Sequence, residues 1–210
     1  MHGVAGSSRQ QTAKERVFCL FDPALTDHFE CFRQACSRDS RLVLDLHHSL
    51  EDLQRLNGHT YHKAIIYVNR KRCSAQDFGY LQAFVRSGAA IVAFHSTTAS
   101  FSNQPRAIEV FGAKFIRHGP VRNFRVTSTS TDLALANVHA FEVQDELFRQ
   151  YYSPGSNTLY SYTGRTVNEP VIWTKEFGDG ITLGLSIGHT LETMQHPSVC
   201  SMIRGFFAAN

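Results

Sequence analysis

The stretch that decides the fold is Ala89-Ala90-Ile91-Val92-Ala93-Phe94, followed at once by His95-Ser96-Thr97-Thr98. An unbroken apolar run of this length, bounded by Gly88 and by a polar turn, reads as a strand buried on both faces, the habit of a parallel sheet. Immediately upstream, Ser74 stands where an N-cap would, with Asp77 three residues on and Phe78, Leu81, Phe84 and Val85 at helical spacing. Gly88 supplies the stop of that helix. Strand, turn and helix therefore alternate around residue 90.

The same alternation extends toward the N-terminus. Val17-Phe18-Cys19-Leu20-Phe21, Leu42–Leu46 and Ala64–Val68 are three further short apolar runs. Between them lie a helical pattern over Leu25–Ser37 and a short helix over Leu50–Leu56, closed by Asn57-Gly58. Four strands alternating with helices predict an α/β fold, a mostly parallel central sheet covered by helices in three α/β/α layers. The second half is less regular. Strands are expected at Phe124–Ser128, Thr158–Tyr162, Val171–Lys175 and Ile181–Ile187, and a closing helix at Pro197–Ala209. The polar segment 1–16 reads as a flexible leader without a secretory apolar core, and 17–210 as a single domain.

Composition narrows the function. The 210 residues carry 21 Lys+Arg against 18 Asp+Glu, a net charge of +3, too weak for a nucleic-acid binder. No apolar run approaches the roughly 20 residues of a membrane span. The five cysteines form no Cys-x-x-Cys pair, so reduced thiols in a cytoplasmic protein are expected. Eleven histidines and sixteen phenylalanines are the unusual counts, and placement has to decide whether they carry chemistry.

In an open parallel sheet, ligands bind beyond the carboxyl ends of the strands. His95 follows the fourth strand and His189 follows Ile181–Ile187, so two imidazoles reach one rim. His118 lies between the middle helices and the next strand. Asp145 and Glu146 are adjacent, so only one of them can face a given site; without further information the pair reads as a solvated helix start. His95 serves equally as base, ligand or a polar residue closing a strand, and position alone leaves these open. Ser96 lacks the Gly-x-Ser-x-Gly surroundings of a nucleophile and reads better as a helix cap. No cysteine lies between Cys73 and Cys200, which removes a glutaminase-type thiol from this turn. His28 follows the first strand, within reach of the rim.

These segments resemble the ThuA-like (trehalose utilisation) family. Gly88 to Ser96, Phe111-Gly112-Ala113-Lys114-Phe115-Ile116-Arg117-His118, Phe141 to Phe148, Pro170-Val171-Ile172-Trp173, and Phe177-Gly178-Asp179-Gly180 through Leu185-Ser186-Ile187-Gly188-His189 follow its motifs in order. The chain departs from the pattern at Asp22–His28, at Gly119, at Asp132-Leu133 and at Ile181, as a divergent member would. The resemblance implies a class I glutamine amidotransferase-like, flavodoxin-like fold without glutaminase activity, in bacterial metabolism of disaccharides and keto-sugars. It implies a sugar isomerase, lyase or hydrolase in which His95, His189 and Glu146 are catalytic and His118, Asp145, Ser96, Trp173 and Phe101 bind a small carbohydrate. Tyr151 and Tyr152 are further stacking candidates, and Phe94, Phe101, Phe111, Phe115, Phe141 and Phe177 are expected to wall the site. No cofactor is required; a divalent metal held by His95, His118, His189 and a carboxylate is the minority alternative. A homo-oligomer fits the family. The contrasting reading is a non-catalytic carbohydrate-binding or oligomerisation domain on the same fold.

Overall fold

The structure is a computed structural model that describes residues 14–36, 41–129, 138–164 and 168–210. The expected leader falls largely on residues 1–13, and the Asp132-Leu133 departure and the helix end at Ser37 also fall outside the described residues.

The first half alternates as its apolar runs predict. Strands β1 (Glu15–Phe21), β2 (Leu42–His47), β3 (Lys63–Tyr67) and β4 (Ala90–Phe94) are interleaved with helices α1 (Thr26–Cys36) and α2 (Ala75–Arg86). The segment Leu50–Asn57 is a tight 3-10 helix, opened by a Ser49–Asp52 capping box. β1 begins two residues before Val17, because Glu15 and Arg16 already pair with Leu42 and Val43. Ser74 caps α2 by accepting from the Asp77 amide at 3.0 Å.

The second half adds α3 (Ala107–Phe111), β5 (Ala113–His118), β6 (Arg122–Ser128), β7 (Phe141–Asp145), β8 (Phe148–Tyr152), β9 (Ser156–Thr163), β10 (Asn168–Phe177), β11 (Gly180–Leu185), α4 (Leu191–Met194) and α5 (Pro197–Ala209). Sequence reasoning missed α3, β5, β7, β8 and α4. β7 was nonetheless marked: Phe141, Val143 and Asp145 are buried and Glu142 and Gln144 exposed, a strict period of two. The helix start expected at Asp145-Glu146 is in fact the end of this strand.

One nine-stranded sheet has the order β2-β1-β3-β4-β11-β10-β9-β6-β7. It is a mixed sheet with a parallel half. β2, β1, β3, β4 and β11 run parallel. From β11 outward the pairs are antiparallel. The cause is the connection: β10 turns directly into β11 across Gly178-Asp179, and a two-residue link can only reverse the chain. β5 and β8 form a separate antiparallel pair.

Alternation along the strands feeds two apolar clusters. Val17, Cys19 and Phe21 pack with Phe29 and Phe32 of α1 and with Val199, Ile203, Phe206 and Phe207 of α5. Phe18 and Leu20 pack with Leu53 and with Phe78, Leu81, Phe84 and Val85 of α2. Both faces of the parallel half are thus covered, which is why its strands read as continuous apolar runs. All five cysteines carry free thiols. Among the described residues, no helix is long and apolar enough to cross a membrane.

Two residues expected to bind sugar belong to this core instead. Trp173 is 0% exposed, donates its indole N–H to the Phe111 carbonyl at 2.9 Å and fills the space left by Gly184 and Gly112. Phe101 is 0% exposed and packs against Phe78 and Phe111. Neither ring has a free face for a ligand. Trp173→Ala is therefore expected to cost about 3–5 kcal/mol of folding stability, the range for truncating a large core aromatic. Urea denaturation measures it; a loss below about 1 kcal/mol would contradict the structural role.

Candidate functional site

The carboxyl ends of β1, β3, β4 and β11 open on one cavity of about 210 Å³, lined by His28, Tyr67, Asn69, Arg70, His95, Ser96, His118, Glu146, His189, Phe115 and Phe148 among others. It spans the point where the chain switches direction, with β2 laid on one side of β1 and β3 on the other. A strand order of this kind leaves a crevice between the two loops, and the sequence fills it with imidazoles.

His95 sits at the tip of β4 with φ +41°, the left-handed region that a side chain rarely adopts. The following turn, His95–Ala99, holds this conformation through hydroxyls that donate to main-chain carbonyls. Ser96 donates to Val68 at 3.1 Å, Thr97 to Ile66 at 2.8 Å and Thr98 to His95 at 3.2 Å. The expected cap role of Ser96 is thereby corrected: the turn has no side-chain cap, and Ser96 lines the cavity with its proton already committed.

His95 is 3% exposed and its ring lies 4.1 Å, centroid to centroid, from Phe148. Its Nδ1 lies 2.7 Å from the Ser186 carbonyl. A carbonyl only accepts, so Nδ1 carries the proton and Nε2 is the atom left for chemistry. That Nε2 faces Glu146 Oε2 at 3.4 Å.

Glu146 is the hub. Its carboxylate also lies 3.2 Å from His118 Nδ1 and 3.7 Å from His189 Nδ1. The three imidazoles come from β4, β5 and the loop after β11. The His95 interaction first, and the positive potential of His189 and His118 after it, hold the Glu146 carboxyl below the usual carboxylate range, against the opposing effect of burial. His118 Nδ1 also donates to the Gly119 carbonyl at 2.8 Å.

Asp145 does different work. It is 0% exposed and does not line the cavity. Its carboxylate accepts three backbone N–H groups, from Glu146 at 2.8 Å, Gly188 at 3.0 Å and His189 at 3.2 Å. The carbonyls of the same dipeptide are also held: Gly188 O by the Tyr67 hydroxyl at 2.8 Å, His189 O by His28 Nε2 at 2.9 Å. Gly188 has φ +125°, and a side chain there would press on Phe94 and Met194, so glycine is required. Burial pushes the Tyr67 phenol up, with Asp145 and Glu146 adding to it, so the hydroxyl stays a donor. Asp145 is thus a positioning residue, where sugar binding was expected of it.

Of the residues expected to act, His95, His189, Glu146, His118 and Ser96 converge on the cavity, whereas Asp145, Trp173 and Phe101 do not. Tyr151 is exposed on β8 and Tyr152 packs on Trp173. Of the six motif phenylalanines only Phe115 lines the cavity, with Phe148 beside it at 4.6 Å. Tyr67, Arg70, Asn69 and Phe148 escaped sequence reasoning. Tyr67 at the end of an apolar strand, and Asn69 and Arg70 just after it, were the available signal.

Asp145→Ala would strip the acceptor from three backbone amides at once. Leaving buried donors unpaired costs about 1–3 kcal/mol each, with partial relaxation. The expected loss is on the order of 3 kcal/mol by chemical denaturation, against little change for Glu146→Gln. Equal losses in the two variants would contradict this division of labour.

Comparison with known proteins agrees with the fold. A ThuA-like protein from Bacteroides uniformis matches with a TM-score of 0.77 at 14% identity, over 97% of this chain and 94% of that one. A ThuA-like protein from Parabacteroides merdae matches with a TM-score of 0.77 at 13% identity, over 93% and 90%. A β-galactosidase from Bacillus circulans sp. alkalophilus matches with a TM-score of 0.69 at 13% identity, over 94% of this chain but 31% of its own. No curated protein matches the sequence. The family model described as trehalose utilisation covers residues 30–207, β1 excepted, and the chain belongs to the ThuA family.

Proposed function

We propose that this protein is an enzyme of bacterial carbohydrate metabolism that acts on a sugar or keto-sugar by proton transfer at the Glu146 cluster. The observation that carries this reading is the placement of one carboxylate within 3.2–3.7 Å of three imidazoles on the wall of a cavity at the sheet's carboxyl edge. Imidazole is the side chain that exchanges protons near neutrality, and a proton α to a carbonyl needs such a base. The family description, trehalose utilisation, supports a sugar as the substrate class.

The roles follow from exposure and orientation. His95 is buried and its ring is fixed by Ser186, so with Glu146 it anchors the charged centre. His189 and His118 are 47% and 36% exposed at the side chain and exchange protons with the ligand. Phe115, half-buried on the cavity wall, offers apolar surface to a sugar ring, backed by Phe148. A cavity of about 210 Å³ is smaller than the roughly 300–1,000 Å³ of most ligand pockets, which favours one sugar ring inside and the rest of a disaccharide outside. Isomerisation, elimination or hydrolysis all fit this machinery. Glutaminase chemistry does not, because His95 occupies the turn where a thiol would be needed. The class I amidotransferase-like three-layer arrangement, a cytoplasmic location and a homo-oligomeric state belong to the same reading.

The test is a thermal-shift screen over disaccharides, monosaccharides and their keto derivatives. A ligand bound to the native state stabilises it by about 2.7 kcal/mol at a hundred times Kd. At least one sugar should raise the melting temperature of the wild-type chain, and Glu146→Gln should abolish that rise while melting normally on its own. A shift that survives both Glu146→Gln and His189→Ala would move the site elsewhere.

A further inference from the structure

We propose that His95, Glu146 and His189 form a two-histidine, one-carboxylate site for a divalent transition-metal ion of the zinc type. The proposal deepens the functional reading and rests on it for one thing only, that this cavity is where the ligand reacts.

Three observations carry it. The first is lone-pair direction. His95 Nδ1 donates to the Ser186 carbonyl, so in the neutral imidazole Nε2 presents a lone pair to a carboxylate oxygen, which also has only lone pairs. The two atoms meet in a buried place, where either a second proton on His95 or a bound cation must stand between them, and the spacing favours the cation. This is also the usual wiring of a metal-bound histidine, whose second nitrogen donates to a main-chain carbonyl or a carboxylate.

The second is spacing, and it separates a proton from a metal. A charge-assisted N–H···O bond closes to about 2.7–2.9 Å. The observed separations from Glu146 Oε2 are 3.4 Å to His95 Nε2 and 3.7 Å to His189 Nδ1. Both exceed that length. Around a tetrahedral ion with bonds of about 2.0–2.2 Å, however, two ligand atoms stand about 3.3–3.6 Å apart. One ligand atom from each of the three residues lies within 4.8 Å of the others, so an ion would draw the half-exposed His189 ring inward.

The third is the second layer around the ligands. His118 Nδ1 lies 3.2 Å from the other carboxylate oxygen, Oε1, at ordinary hydrogen-bond length. Its position beside Oε1, with its one N–H directed at the Gly119 carbonyl, leaves Oε2 as the oxygen that faces His95 and His189. Asp145 and His28 clamp the backbone of His189 from its N–H and its carbonyl. Three protein ligands leave a coordination position open, and it faces the cavity. Catalytic zinc sites keep such a position for water or substrate, whereas structural ones close it. A hydroxyl or carbonyl oxygen of a sugar is the ligand chemistry that fits there.

The experiment uses the full chain without an affinity tag, dialysed against chelator, with Zn²⁺ titrated by calorimetry and Co²⁺ followed by its visible d–d absorption. One ion per chain is expected, with Zn²⁺ displacing Co²⁺. Glu146→Gln and His189→Ala should each weaken Zn²⁺ binding more than 100-fold, and His118→Ala by about 10–100-fold, as the loss of an outer partner does. His59→Ala, far from the cluster in sequence and absent from the cavity lining, should bind as wild type does. Far-UV circular dichroism checks that each variant is folded, and the Co²⁺ spectrum of the wild type decides the matter if one is not. No bound ion, or binding unchanged in both ligand variants, overturns the site. Sugar-induced thermal shifts are measured with and without Zn²⁺. A shift in a chain that binds no ion would sink the metal and leave the functional reading standing. One equivalent of Zn²⁺ with no sugar response would do the reverse.

Discussion

The carboxylate of Asp145 is the constraint on which the rest of the site depends. It is a charge with no exposure, and the three backbone N–H groups around it are what make that burial tolerable. Hydrogen bonds to a charged acceptor contribute about 1.5–3 kcal/mol each, enough to offset a desolvation cost of several kcal/mol. The same three bonds fix geometry. They tie the end of β7, at one edge of the sheet, to the loop after β11, near its centre. Gly188-His189 is then held on all four of its main-chain polar groups, by Asp145 on the amides and by Tyr67 and His28 on the carbonyls. A loop so fully occupied presents the His189 side chain from a fixed backbone.

The mixed sheet explains why such a tie is needed. The parallel half supplies His28, Tyr67, His95 and His189 from its strand ends and the segments that follow them, as open α/β sheets do. The carboxylate comes from the antiparallel half, whose last strand is far along the sheet order. Glu146 reaches the imidazoles because β7 ends at the cavity and Asp145 anchors that end. Adjacent acidic residues at a strand terminus point in different directions, and here each direction has its own use: one holds main chain, the other meets imidazoles. His95 shows the corresponding device on the parallel side. Its positive φ stores strain of order 1–3 kcal/mol, which persists because Ser96, Thr97 and Thr98 pin the turn and Ser186 pins the ring.

How much of this was legible follows from what each residue reports about itself. Val17–Phe21 and Ala90–Phe94 declare buried strands because nothing polar interrupts them, and His95 and His189 are then placed by rule at the strand ends. Pro197–Ala209 and the Ser74 cap are equally local signals. The antiparallel half is harder, since its strands are half exposed and polar residues alternate in them. Lys114, Arg117 and His118 hide β5, and Arg149 and Gln150 hide β8. Asp145 misled for a physical reason: a carboxylate at an inward strand position is read as solvent-facing unless its partners are known, and those partners are amides 43 and 44 residues away. Trp173 and Phe101 misled in the opposite way. Aromatic residues near a sugar site suggest stacking, yet both rings were needed to fill volume, Trp173 over the two glycines that make room for it.

His118 is where local and long-range signals meet. Its Nδ1 is close to two acceptors, the Gly119 carbonyl at 2.8 Å and Glu146 Oε1 at 3.2 Å. Its one N–H is directed at the nearer of the two, the main-chain carbonyl of its own neighbour. His118 stands beside the oxygen that His95 and His189 do not approach, so the three imidazoles divide the two carboxylate oxygens between them.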